Sequence, residues 1–379
     1  MFNFNKNKQI VQQVKHEPAS AEFFLAKNTY NFTDPYISET KNSYGYIFGQ
    51  GNLYPQELLR LYSSSPIHSA SINFKRILIS GNGVEYDKTG LDTGKLIASE
   101  QLNYLFNENI EGITSDLVIH NRFYLEITWN SDFTKIIKIK RLPAETIRIA
   151  ELDECRESFI FNYCWDWKQV GRFGLKQYPK FDCYNKKDRV QLFEYQCDTP
   201  GKKIYTLPSY RSCLEWVTLD SEMGIYHKAN ITNSLNPSLL IKFYNQPDTE
   251  EKKRAIRDSL ESSFAGSANA GRCLTIFNAD KDSAPDVTQL EPNKLDKTFI
   301  QLTDTIQRQV LYAHNVNPDL LGLKTPGSLG TNAGQLDSLL KQFIFTSINP
   351  NRKIIENVFN LFAALNGITN KFSLTQVQY

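Results

Sequence analysis

The chain lacks the features by which an enzyme, a membrane protein or a disulfide scaffold announces itself. Its six cysteines, Cys155, Cys164, Cys183, Cys197, Cys213 and Cys273, include no CxxC pair. A chain of 379 residues needs no staples, so they read as reduced thiols in a cytosolic setting. No stretch approaches the ~18 consecutive apolar residues of a membrane span. The opening MFNFNKNKQIVQQ has no continuous apolar run, which argues against a signal peptide. The histidines His16, His68, His120, His227 and His314 form no HxxxH, HExxH or Cys/His ligand set. There is no GxSxG elbow and no GxGxxG fingerprint. Gly94-Lys95 is followed by leucine and has no glycine five residues earlier, so it is not a phosphate-binding loop. If a motor acts with this chain, its ATPase is another protein. An excess of charge is missing too: 43 Lys and Arg face 41 Asp and Glu, a net charge of +2. Proteins that grip phosphates carry a strong basic excess. Tight sequence-specific binding is therefore disfavoured, while a channel in which DNA slides stays compatible.

What is present describes a folded protein. Apolar residues make up 41% and charged residues 22%, and the length suits two or three modules. Phe and Tyr number 24 and 19. So high an aromatic content fits either ring-packed cores or extensive subunit interfaces, and composition leaves both open. Hydrophobic spacing predicts an α+β chain. Residues 1 to about 52 are an arm or an irregular lead-in. Pro55 and Pro66 sit in the first turns of two helices; the second carries Ile67, Ala70, Phe74, Ile77 and Leu78 and closes at Gly81-Asn82-Gly83. A helix over 92–107 follows. Residues 122–129, 136–142 and 147–149 read as a strand meander, with short strands at 190–195 and 203–205. Pro208 opens a long helix ending near Asn233, with Gly224 inside it and Met223 as packing. A small unit comes next: a strand at 239–243, a helix capped by Asp248 with Glu251, a connection through Gly266, Asn269 and Gly271, and a strand at 273–277. A second long helix covers 295–315, with Phe299, Leu302, Ile306 and Val310 inward. Beyond Asn317-Pro318 lies a glycine-rich loop from Gly322 to Gly334. The helix after it carries Leu336, Leu339, Leu340, Phe343 and Ile344 and stops at Asn349-Pro350. A last helix from Pro350 ends at Gly367.

Candidate chemistry is sparse. Asp153-Glu154 and the group Asp280, Asp282 and Asp286 are the acidic clusters, and carboxylates of this kind bracket metals or glycosidic bonds in enzymes. Here they lie in polar, turn-like sequence, where solvated charge is the simpler reading. His314 reads as a helix-end residue beside the last carbonyls. Lys324 is an ordinary surface lysine in one chain, but a belt of positive charge if copies stand in a ring.

Several stretches carry a resemblance. They are Ser65 to His68 through Gly83; 121–126; Leu142-Pro143 with Ile147-Arg148; 205–226; 233–241; 266–272; 314–323; Thr331-Asn332; and 345–350. In this order the set resembles portal proteins of tailed bacteriophages, in the broad long-tailed, lambdoid-like head family. The resemblance implies an α+β portal fold. Residues 1–50 would be an arm or lead-in, 51–208 the wing, 209–233 the first stem helix and 234–294 an α/β clip. Residues 295–317 would be the second stem helix, 318–333 the tunnel loop, 334–366 helices returning to the wing, and 367–379 a tail with little or no crown. Where the family often has Asn-Gly after the first stem helix, this chain has Asn233-Ser234-Leu235-Asn236-Pro237.

The function so implied is a ring, usually of twelve subunits, at one capsid vertex of the virion, assembled in the host bacterial cytoplasm. Its partners would be the terminase large subunit, a head-completion or adaptor protein, the major capsid and scaffolding proteins, and double-stranded DNA held nonspecifically. No membrane, cofactor, metal or catalytic residue is implied. Lys324, Thr325, Ser328, Thr331 and Asn332 would face DNA, and Ile241, Phe243, Leu274 and Ile276 would make oligomer or partner contacts in the clip. A different head-tail connector or adaptor ring, a two-module enzyme using Asp280 and Asp282, and a plain cellular scaffold are the rival readings.

Overall fold

The computed structural model describes residues 41–42, 45–90, 92–153, 156–162, 174–184, 187–201, 204–233, 237–243, 249–252, 254–255, 272–277, 286–289, 295–323 and 333–376. The arm at 1–40 and the connection at Gly266, Asn269 and Gly271 lie outside these residues. Proline and serine set the first helices as the sequence leads one to expect. Helix α1 (Tyr54–Ser64) carries Pro55 in its first turn. Ser65 ends it and caps α2 (Pro66–Ser80) by accepting from the His68 N–H. The same hydroxyl donates to Asp220 at 2.7 Å, which ties the α1–α2 corner to a distant helix.

Helix α3 (Thr93–His120) runs thirteen residues past the end of the expected 92–107 segment, which stops where its apolar residues do not. Ile110, Ile113 and Leu117 extend the buried face begun by Leu102 and Phe106, and the helix ends only at Asn121, whose φ of 59° is the left-handed turn that asparagine tolerates. Two small sheets follow. Strand β4 (Arg122–Trp129) is central, flanked antiparallel by β5 (Ile136–Leu142) and β9 (Val190–Gln196). The expected meander continues into the wrong sheet: Pro143 and a short 3-10 turn at Ala144–Thr146 redirect the chain, so β6 (Ile147–Asp153) pairs with β7 (Arg156–Phe161), and β7 with β8 (Lys176–Pro179). Of the strand expected at 203–205, Lys203 lies outside the described residues and the other two are not in a strand. Ile204 and Tyr205 are buried without ladder pairing, and the Tyr205 hydroxyl donates to the Tyr46 carbonyl while accepting from the Ile149 N–H. A hairpin of β1 (Lys41–Asn42) and β2 (Gly45–Tyr46) precedes them. Gly45 is needed there, because a Cβ would stand 2.5 Å from the Ile149 carbonyl oxygen.

The C-terminal region departs from expectation at Pro350. Helix α6 (Ala333–Phe343) does not stop there but runs through a π-turn at Ile344–Ile348 into α7 (Asn349–Leu365). Pro350 has no N–H to return to the preceding turn. The extra residue of the π-turn absorbs that loss: the Asn349 N–H reaches back to the Ile344 carbonyl, and the Asn351 side chain donates to that of Ser347. Helix α7 closes in a Schellman turn, with Gly367 N–H to Ala364 and Ile368 N–H to Ala363 and with Gly367 at φ 76°. Strand β13 (Phe372–Leu374) then pairs with β3 (Val84–Tyr86).

Aromatic rings join the two ends of this body. Phe106 of α3 stacks on Phe359 of α7 at 4.1 Å and meets Phe372 edge-on at 5.2 Å. All three are fully buried. Phe106→Ala should therefore cost about 3–5 kcal/mol of unfolding free energy, read from urea melts; a loss below about 1 kcal/mol would contradict this packing.

Candidate functional site

Two helices carry the expected channel face. Helix α4 (Leu214–Asn233) follows a 3-10 turn at Arg211–Cys213 and runs unbroken through Gly224. Helix α5 is Leu295–Ala313. They pack against one another, with Leu214 and Val217 buried on α4 and Ile306, Val310 and Leu311 buried on α5. Met223 packs on the core, as its residue type suggests. Gln301, Thr305, Arg308, Gln309 and Tyr312 of α5 are exposed, and Arg308 pairs with Asp304 at 2.7 Å on that surface.

The end of α5 is fixed residue by residue. Asn315 takes φ 54°, and the Asn315 and Val316 N–H groups close a Schellman turn on Tyr312 and Leu311. Asn317 then caps a short 3-10 helix, Pro318–Leu321, by accepting from the Asp319 N–H at 2.9 Å. Leu320, Leu321 and Leu323 rest on the core. The described chain is thus anchored to the core as far as Leu323. Lys324, Thr325, Ser328, Thr331 and Asn332 lie outside the described residues, and the chain returns at Ala333.

His314 directly follows the end of α5, as expected, but its side-chain partner is another imidazole rather than the last carbonyls. It is fully buried. Its Nε2 lies 2.9 Å from Nδ1 of His68 on α2, and its ring stacks on Tyr210 at 4.8 Å. Tyr210 also meets His68 edge-on, and its hydroxyl donates to the Ile119 carbonyl at 2.7 Å. A hydrogen bond between two imidazoles needs one donor and one acceptor, so at least one ring is neutral. Burial lowers the His68 pKa to about 3, with Lys75 adding to the shift. Burial, Lys75 and His68 hold His314 well below the usual value. Burial also brings the Lys75 ammonium down to about 8. Both rings are therefore neutral at pH 7.

A second buried polar group surrounds the end of α3. Asp116, His120 and Glu145 bring ligand-type atoms within 4.8 Å of one another. Asp116 and His120 are four residues apart on one helix face, a spacing visible in the sequence; Glu145 is not. The arrangement is poor for a cation. Arg141 takes both Asp116 oxygens at 2.5 and 2.7 Å, and Arg122, Arg141 and Arg148 all push the His120 pKa down, after burial. Burial raises the Asp116 carboxyl to about 6 despite the Arg141 fork. This is an ion network that ties α3 to β5, with no vacancy of charge for a metal to fill.

The small unit between α4 and α5 has three strands rather than two. β10 (Pro237–Phe243) is central, parallel to β11 (Arg272–Phe277) and antiparallel to β12 (Asp286–Gln289). Asp286, expected in a polar turn, begins β12 opposite Lys242; alternation with Val287 suits it to a strand edge. Of the expected contact residues, Ile241 pairs with Thr275 and Val287, Phe243 with Phe277, Leu274 with Leu240, and Ile276 with Lys242. Asp248, Asp280 and Asp282 lie outside the described residues, as does Glu154.

Comparison with known proteins agrees with this architecture. The family model described as phage portal protein matches residues 99–379, about three quarters of the chain. A chain from Rickettsia bellii (strain RML369-C), described only as an uncharacterized protein, is 26% identical over 286 residues, covering 72% of this chain and 68% of that one. Among solved structures, a chain from the virion of a native gene transfer agent particle aligns with a TM-score of 0.58 at 14% identity, covering 84% of this chain and 83% of that chain. A chain from the neck of the native particle, computed with C12 symmetry, gives 0.56 at 14% identity, covering 85% and 83%.

The buried histidines make stability depend on acid. In the unfolded chain each takes up a proton near pH 6.5; in the folded chain His68 does so only near pH 3, and His120 and His314 well below 6.5. Their contribution is complete above about pH 6.5 and is lost as pH falls, by up to about 1.4 kcal/mol per unit for each. The double variant His68→Gln/His314→Gln should flatten the slope of unfolding free energy between pH 6 and 4 by up to ~2.7 kcal/mol per unit. Urea melts across that range give the slope, and equal slopes in the two proteins would contradict neutral burial.

Proposed function

Because this chain belongs to the phage portal protein family, we propose that it is the ring-forming subunit through which double-stranded DNA enters, is retained in and leaves a phage-like particle. A portal or head-tail connector role is the family's, and that role is structural rather than enzymatic. The family match over 99–379 carries the proposal. The fold likeness to a chain from a neck computed with C12 symmetry supports a ring of twelve copies. In this reading the α4–α5 pair forms the stem. The segment at 318–333 narrows the channel, and β10–β12 belong to the clip where a terminase large subunit and later a head-completion or adaptor protein dock. Major capsid and scaffolding proteins surround the wing at the particle vertex. The ATPase resides on the terminase.

The surface chemistry supports assembly. Phe345 is 75% exposed, Tyr312 66% and Ile225 66%, an unfavourable display for a solitary subunit. Rings close through heterologous contacts, one face of each copy on a different face of the next. Burying one such side chain at a copy-to-copy contact contributes roughly 1.5–3 kcal/mol, gained at every interface of the ring. DNA contacts would be made to phosphates by Lys324 and by the hydroxyls of Thr325, Ser328 and Thr331, with Asn332 beside them. Twelve copies of one lysine make a belt of charge that attracts DNA without reading sequence.

Two substitutions test the reading separately. Phe345→Glu should leave the circular dichroism of the subunit unchanged and reduce the ring fraction by about tenfold or more in native mass spectrometry; unchanged ring formation would remove that face from the interface. Lys324→Glu should leave rings intact while particles package or retain less DNA. Normal packaging and retention in that variant would take Lys324 off the channel wall.

A further inference from the structure

Where α3 gives way to β4, one guanidinium is buried without a hydrogen bond. Arg122 is 0% exposed, and its Nε, Nη1 and Nη2 have no hydrogen-bond partner among the described residues. Three rings wall it. Its Cζ lies 4.6 Å from the ring centroid of Phe48, 5.3 Å from that of Tyr205 and 5.8 Å from that of Tyr124. Rings attract the charge through their faces. The N–H donors lie in the guanidinium plane and need acceptors there, which the rings do not supply. His120, 2% exposed, stands close enough for Arg122 to lower its pKa, after burial, and neither of its ring nitrogens is hydrogen-bonded.

The acceptors nearby are engaged elsewhere. Both Asp116 oxygens accept from Arg141. Glu194 accepts from the Tyr124 hydroxyl at 2.7 Å. The Glu145 carboxylate lies 3.9 Å from His120 Nε2, beyond hydrogen-bond length, at a part-exposed position. The Tyr205 hydroxyl donates to the Tyr46 carbonyl and accepts from the Ile149 N–H. A second guanidinium, that of Arg148, is also fully buried and adds positive potential at His120 and Tyr205. Its own donors go to oxygens of Asn52, Gln56, Glu145 and Ile147. Arg122 is thus a desolvated cation whose donors lack both an acceptor and a countercharge in contact.

We propose that Arg122 holds a small inorganic anion, of the size and charge of chloride, enclosed between the α3–β4 corner and the stacked rings of Phe48 and Tyr205. The anion accepts from the edge of the guanidinium, with the imidazole N–H of His120 as a second donor. A halide meets both needs of the site, since it is an acceptor and a countercharge. A water would meet only the first. It would also need acceptors for its own hydrogens, and the tyrosine hydroxyls beside it are already bonded. No guanidinium nitrogen of Arg122 reaches the surface, so the occupant is fully enclosed, which favours a single atom over an oxyanion. The ion would tie together the chain before α1, the end of α3 and the chain before α4, where Phe48, His120 and Tyr205 stand. This role is structural and does not depend on the portal reading.

The test uses the full chain in urea melts, with sodium gluconate exchanged for sodium chloride at constant ionic strength and protein concentration. A ligand bound only by the folded chain stabilises it by mass action, so about 0.2 M chloride should raise the folding equilibrium constant about tenfold or more. In Arg122→Met, which keeps an unbranched apolar side chain between the rings, the exchange should change nothing. No gain in the unaltered chain would overturn the proposal. An equal gain in both proteins would assign the effect to general salt action and overturn it as well. A second measurement needs no variant: crystals of the unaltered chain grown in bromide, since an enclosed site exchanges slowly. Anomalous density at hydrogen-bond distance from the Arg122 nitrogens is expected. Density there without anomalous signal would assign the site to water, and a direct ion pair of Arg122 with Glu145 or Glu194 would remove the need for an anion; either result would overturn the proposal.

Discussion

Helix α2 is the member that packs against both flanks of the proposed channel segment. His68 holds the end of α5 through a direct imidazole–imidazole hydrogen bond, and Phe74, less than two turns along the same helix, stacks on Phe343 of α6 at 5.5 Å. The described residues run to Leu323 and resume at Ala333, and one helix contacts the elements on both sides of that interval. The polar half of this anchorage is demanding. Each imidazole is shut away from water beneath Tyr210, so charging either ring costs desolvation energy that the folded chain must supply.

From that anchor the remaining architecture follows. The Schellman turn at Asn315 and the Asn317 cap aim the outgoing chain, and the π-turn before Pro350 lets α6 and α7 behave as one bent rod leading back to α3. There the Phe106–Phe359–Phe372 cluster locks the returning helix, with Phe362 extending the ring contacts to Phe181 and Phe193. The Arg352 guanidinium donates to the Leu78 and Leu374 carbonyls, so α7 is stapled to the end of α2 as well. The aromatic richness visible in composition therefore serves the core first, while Phe345, Tyr312 and Ile225 remain exposed in the single chain. The proposed function rests on geometry, with the packed frame of α2, α5, α6 and α7 on either side of the segment that would face DNA.

Legibility in the sequence followed the range of the interaction. Local punctuation was plain: Pro55, Pro66, Ser65, Asn233 and Gly367 mark helix ends through their own backbone chemistry. The 295–315 helix and its buried side could be read from spacing alone. Contacts between distant residues could not. His68 and His314 are separated by 245 intervening positions, and nothing in either neighbourhood distinguishes a buried imidazole from a solvated one. Strand β9 pairs with the edge of β4 left free by β5, a pairing between distant residues that no short window contains. Helix α3 was read short because Gly112 and polar residues beyond 107 dilute its apolar face; in the folded chain Gly112 makes room for Arg141, whose Cδ would be 2.9 Å from a Cβ there. Pro350 misled for a different reason, since a π-turn can absorb a missing N–H that an α-helix cannot. The residues expected to face DNA were reached through family resemblance rather than through any pattern of their own.

Single-particle imaging of the assembled protein tests the central claim most directly. The account predicts a ring with a central hole, the C-terminal end of α5 at the inner wall, α2 directly behind it, and the 324–332 segment directed toward the axis. A ring that turns this segment to its outer rim, or particles that are solitary subunits under all assembly conditions, would contradict it.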